Sequence, residues 1–113
     1  MAAEPEHLFI YGTLAPGRPN HHVMGDIEGD WVEASMRGRL VEDGWGAELG
    51  YPAIVPSDDG PEVSGFVFSS SKLVEHWARL DAFEGDAYER VSIKATTAAG
   101  DVVQAFVYAL KAR

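Results

Sequence analysis

Only one stretch of this 113-residue chain repeats its apolar residues at helical spacing. Leu73, Trp77 and Leu80 are separated by four and three positions, which puts them on one face of a helix. Ser71 is placed to cap that helix, predicted over Lys72 to Phe83 or Glu84, and Gly85 to end it. Most of the rest reads as short β-rich runs punctuated by glycine and proline. The predicted strands are His7–Tyr11, Met36–Glu42, Pro52–Pro56, Glu62–Phe68, Arg90–Thr96 and Val102–Leu110. Thr97 to Asp101, with Gly100 near its end, reads as the hairpin loop between the last two. Ala15 to Asn20, rich in proline and glycine, reads as a loop, after which Asn20 is placed to cap a short helix to about Met24. Strands that follow one another without alternating helices argue against a doubly wound fold. The expected class is α+β, with an antiparallel sheet or a small barrel.

The length suits one domain, expected over residues 1–113. With 46% apolar residues the chain is expected to fold around one core rather than stay disordered. No apolar run approaches the roughly 18 residues of a membrane span. Met1 to His7 carries two glutamates and no apolar run, which does not read as a signal peptide; a cytoplasmic location is the expectation. The chain has no cysteine, which excludes disulfides, thiolate metal sites and a cysteine nucleophile. A net charge of −9 makes nucleic acid and anionic membranes poor partners. It also aids solubility, and it leaves the sign of a local site open.

Two constellations carry chemistry. The first is Tyr11, Gly12, Thr13 and Leu14, where a strand meets a glycine able to take positive φ. Successive backbone N–H groups in such a turn can converge on an anion, and a carboxylate would suit them. The same sequence also serves as a plain strand-ending turn. It is neither a Walker loop nor a dinucleotide-binding fingerprint, because it lacks the Gly-Lys-Ser/Thr ending and the third glycine at a helix start. The second constellation centres on Glu84, which follows Leu80 by four residues, Trp77 by seven and Leu73 by eleven. If the helix persists to Glu84, a carboxylate sits on the stripe that faces the core. Burial would raise its pKa toward that of a general acid/base. If the helix has ended by Ala82, Glu84 points to water instead.

Other candidates are weaker. His7, His21, His22 and His76 lack metal-ligand spacing, so no metal site and no cofactor are expected. Ser69 to Ser71 lack the glycine-flanked nucleophile elbow. Trp31 and Trp45 suit either a core or a pocket wall, whereas Trp77 is expected in the core.

Together these segments resemble the gamma-glutamylcyclotransferase-like family, including its gamma-glutamylamine cyclotransferase and AIG2-like branches. The resemblance rests on Phe9 to Leu14 followed by Gly17, Asn20 and His21, and on Tyr51-Pro52-Ala53 with Val63 to Phe68. It continues in Leu80 to Gly85 with Tyr88 and Arg90, and ends in Ala105 to Tyr108. The matches run in order across about residues 8 to 110. The resemblance implies a small mixed β-barrel with flanking helices. It implies a small-molecule γ-glutamyl substrate held by Tyr11, Gly12, Thr13, Leu14 and Tyr88, with Glu84 as acid/base. The implied reaction releases 5-oxoproline and a free amine, from a monomer or weak homodimer. Ala15, where many relatives carry a basic residue, and the glycine-rich Gly44 to Gly50 stretch around Trp45 are departures that bear on the leaving group. A non-catalytic binding or regulatory module on the same fold is the competing expectation.

Overall fold

The computed structural model describes residues 6–11, 21–25, 27–41, 53–85 and 87–110. Six strands and one α-helix follow in the order β1 (Glu6–Ile10), β2 (Asp30–Val41), β3 (Ala53–Pro56), β4 (Glu62–Ser70), α1 (Trp77–Glu84), β5 (Tyr88–Thr97) and β6 (Val102–Leu110). All six predicted strands are present. β2 begins six residues before its predicted start, because Asp30 to Arg37 pairs antiparallel with Ser69 to Glu62 of β4.

Five strands close into a ring. β1 pairs with β4, β4 with β2, β2 with β5, and β5 with β6, all antiparallel; β6 returns to β1 in parallel. The barrel is therefore mixed. β3 stands outside the ring, antiparallel to β2 and parallel to β6. A barrel of so few strands has a narrow lumen, and side chains fill it. Small residues meet that constraint: Ala34, Ala95, Ala105 and Ala109 pack with Phe9, Met36, Val63, Val67 and Val107, and Ile54 of β3 joins the same cluster.

A second apolar layer lies outside the ring. Leu8, Ile10, Phe68 and Tyr108 point outward and are covered by Leu73, Trp77 and Leu80, with Met24 and Ile27 beside them. The alternation of strand side chains explains how one strand serves both layers: Phe9 points in while Leu8 and Ile10 point out. The run Ala105 to Leu110 is continuously apolar because that half of β6 is packed on both faces. Trp77 is in the core, as expected. Trp31 packs against Phe66 and Phe68, with the His21 ring 5.3 Å from its own; Trp45 lies outside the described residues.

The helix starts later than its spacing predicts. Ser71 is not its cap. The buried Ser70 hydroxyl donates to the Glu28 carbonyl and accepts the Lys72 N–H at 3.0 Å, so the turn out of β4 forms one residue earlier. A 3-10 turn over Leu73–Glu75 follows, and α1 begins at Trp77. The short helix predicted to end near Met24 is a 3-10 helix over His21–Met24.

Candidate active site

α1 persists through Glu84. The Gly85 N–H donates to the Asp81 carbonyl at 3.1 Å, and Gly85 leaves the helix at φ 85°. The stripe formed by Leu73, Trp77 and Leu80 is buried against β1 and β4, and Trp77 Nε1 donates to Glu6 Oε1 at 3.2 Å. Glu84 continues that stripe, so its carboxyl group is drawn toward the protein. Withdrawal from water disfavours its charged form and pushes its pKa up to about 7.

Tyr11 lies within electrostatic reach of both Glu84 and Tyr88. Burial holds the Tyr11 phenol well above its ordinary pKa; its hydrogen bond with Ile54 works against this, and the charges of Glu84 and Tyr88 add to it. Tyr11, Glu84 and Tyr88, from β1, α1 and β5, therefore share one neighbourhood. Gly12, Thr13 and Leu14 lie outside the described residues, as do Ala15 and the Gly44 to Gly50 stretch.

The Tyr11 side chain is engaged with the barrel. Its hydroxyl donates to the Tyr108 carbonyl at 2.9 Å and accepts the Ile54 N–H at 3.0 Å. Its ring lies alongside Phe9, with centroids 6.4 Å apart and planes inclined by 18°.

A further cluster was not legible as a unit in the sequence. Tyr108 donates its hydroxyl to Asp81 Oδ1 at 2.6 Å, and Arg90 Nε donates to the same oxygen at 3.0 Å. The Arg90 guanidinium sits 4.2 Å from the Trp77 ring centroid and 4.9 Å from that of Phe106. Although burial opposes it, these two donors hold the Asp81 carboxyl below its ordinary pKa. Tyr108 is shifted upward, first by burial and then by Asp81, with a further push from Glu84. Asp81 precedes Glu84 by three residues on α1, which is the one local signal; its partners are distant in sequence.

A groove of about 700 Å³ opens elsewhere on the surface, beside Arg37, Ser92, Lys94 and Gln104, and includes none of Tyr11, Glu84 and Tyr88. Among the described residues no helix is long and apolar enough to cross a membrane.

The sequence of the family described as gamma-glutamyl cyclotransferase, AIG2-like, matches residues 8–113. The chain belongs to that family. It is 29% identical to the gamma-glutamylaminecyclotransferase of Rattus norvegicus over 122 aligned positions, which cover 90% of this chain and 76% of the relative. The crystal structure of an AIG2-like protein from Mus musculus superimposes with a TM-score of 0.72 at 28% identity, covering 94% of this chain and 77% of that one. YkqA from Bacillus subtilis gives a TM-score of 0.71 at 25% identity over 95% of this chain, which spans only 36% of that longer protein. The mixed barrel with its outer helix is thus the fold of this family, as the sequence resemblance implied.

Proposed function

We propose that this chain is a cyclotransferase that acts on a γ-glutamyl amine or peptide and releases 5-oxoproline and a free amine, with Glu84 as its acid/base. The observation that carries the reading is a half-buried carboxyl group with a pKa near 7, next to Tyr11 and Tyr88, at the position that the family resemblance marks. The nucleophile in this chemistry belongs to the substrate. Glu84 takes a proton from the α-ammonium, and the free amine attacks the γ-carbonyl of the same molecule. The tetrahedral intermediate then collapses as Glu84 returns that proton to the departing amine nitrogen. The second proton of the ring nitrogen passes by way of the vacated carboxylate to the released amine, which leaves as its ammonium. One carboxyl group near neutrality can accept and donate in turn. Ring closure is intramolecular, so holding the glutamyl group in one orientation supplies much of the rate. We assign that hold to backbone N–H groups of Gly12, Thr13 and Leu14, directed at the α-carboxylate or the developing oxyanion. Tyr11 anchors the start of the loop, and Tyr88 lines the same neighbourhood.

The test is a panel of γ-glutamyl dipeptides, γ-glutamyl-ε-lysine and γ-glutamyl alkylamines, with 5-oxoproline as the readout. Stoichiometric 5-oxoproline and free amine from at least one of them is the expected result. Binding without release of 5-oxoproline from any of them would make the chain a binding module instead.

A further inference from the structure

Tyr108 is bonded at both ends. It lies on β6 where that strand changes partner along one edge: Phe106 and Val107 pair with Leu8 and Phe9 of β1, whereas Ala109 pairs with Ile54 of β3. At the changeover the Tyr108 carbonyl accepts the Tyr11 hydroxyl, and the Ile54 N–H donates to that same hydroxyl oxygen. A side chain thus occupies a place in the ladder between β1, β3 and β6. At its other end the Tyr108 phenol donates to Asp81 Oδ1 on α1, three residues before Glu84. Arg90, opposite Tyr108 on β5, donates to that carboxylate and is itself packed on Trp77 and Phe106. One residue therefore ties the end of β1 to the helix that carries Glu84.

We propose that Tyr108, acting through Asp81, is a positioning residue that fixes Glu84 relative to the chain leaving β1 at Tyr11. The inference rests on the acid/base role of Glu84 proposed above. Its physical basis is the cost of misplacement: a shift of about 1 Å in a reacting group can lower a rate about 10²-fold without changing its chemistry. α1 has only eight residues, so one charge-assisted hydrogen bond at its middle is a large part of what holds its last turn. Arg90 neutralises the Asp81 charge and lets the carboxylate accept the Tyr108 hydroxyl without adding a net charge beside Glu84. On the assignment of glutamyl binding to residues 12–14 proposed above, affinity does not run through Asp81, so the loss should fall on kcat rather than on KM.

Three variants test this. Tyr108→Phe keeps the ring and the backbone carbonyl and removes only the bond to Asp81. Asp81→Ala removes the acceptor, and Asp81→Asn keeps an acceptor oxygen without the charge. Tyr108→Phe and Asp81→Ala should lower kcat about 10- to 100-fold, with KM within about threefold of the parent, if a misplacement of the stated size results. Asp81→Asn should recover most of what Asp81→Ala loses. A parallel measurement needs no turnover: the carboxyl carbon of Glu84, identified by its absence in Glu84→Gln, is titrated by NMR in the full chain. Its midpoint should fall in Tyr108→Phe, which changes no charge, as the group moves toward water; both Asp81 variants also unpair Arg90, so they are read by kcat alone. If the parent makes no 5-oxoproline but the titrations behave this way, the catalytic reading fails and the positioning stands. An unchanged kcat and unchanged midpoint in Tyr108→Phe would overturn the positioning, and so would an Asp81→Asn variant as impaired as Asp81→Ala.

Discussion

Glu84 lies one helical turn beyond Leu80 on the same stripe of α1, so a carboxyl group extends a row whose previous member is fully buried. That placement raises its pKa from an ordinary 4.5 to about 7. A base with this pKa is charged, and able to accept the substrate's proton, only as pH rises through neutrality. On the proposed mechanism, kcat/KM should therefore climb with pH to an inflection near 7. Glu84→Gln should bind substrate, keep the fold and lose about 10²–10⁴ in turnover, the usual contribution of a general acid/base. Initial-rate measurements from pH 5 to 9 check both points, and a Gln variant with near-parental turnover would remove Glu84 from the chemistry.

The same shift has a consequence for stability that does not depend on any substrate. A carboxyl group that holds its proton to higher pH in the folded state than in the unfolded chain favours the folded state most below about 4.5. Between about 4.5 and 7 the folded state binds the extra proton, so this contribution declines as pH rises and is gone above about 7. Glutamine cannot ionise. Glu84→Gln should therefore be more stable than the parent at pH 8, and the gap should close as pH falls toward 5. Urea melts of both proteins across that range measure it. A stability difference that does not vary with pH would mean that Glu84 is not withdrawn from water.

The sequence shows its strands and its helical stripe because both are local patterns: alternation and turn residues mark the β-runs, and Leu73, Trp77 and Leu80 mark a face. It leaves Glu84 undecided, because the orientation of a last helical residue depends on whether the backbone bond to Asp81 forms. The structure contains that bond, from the Gly85 N–H. The early start of β2 was hidden because Asp30 to Ser35 becomes strand only by pairing with Ser69 to Ser64 of β4, far along the chain. Ser70 and Ser71 are interchangeable as capping residues by type; the partner that decides between them, Glu28, lies 42 residues from Ser70. The bonds among Tyr108, Asp81 and Arg90 join β6, α1 and β5, and no single stretch of sequence contains their geometry.

Gly65 is a place where backbone meets backbone. A Cβ there would lie 2.5 Å from the Ile10 carbonyl oxygen and 2.8 Å from the Phe9 ring. The ring can turn slightly, but the carbonyl belongs to the β1 ladder and cannot move without shifting the strand. Gly65→Ala should therefore destabilise by about 1–3 kcal/mol, the range for overpacking a filled core. Because Ile10 precedes Tyr11, the displacement should also reach the proposed site. Thermal melts and 5-oxoproline release measured on the folded fraction separate the two effects. A variant as stable as the parent would show that β1 has slack at this point.

Gly85 and Gly100 are two positive-φ glycines at different places relative to Glu84. Both have positive φ, 85° and 94°, and a Cβ at either would meet nothing within 4 Å. Alanine at either site therefore introduces backbone strain without a clash, costing about 1–3 kcal/mol. Gly100 lies in the turn between β5 and β6, whereas Gly85 directly follows Glu84 and its N–H ends α1 on the Asp81 carbonyl. Relief of strain at Gly85 would rotate the last turn of the helix and Glu84 with it. Gly85→Ala and Gly100→Ala should thus both lose stability, while only Gly85→Ala should lower kcat, by about tenfold or more for a misplaced acid/base. Measured at a temperature where both variants are fully folded, equal kcat values for the two would mean that the end of α1 relaxes without carrying Glu84 out of place.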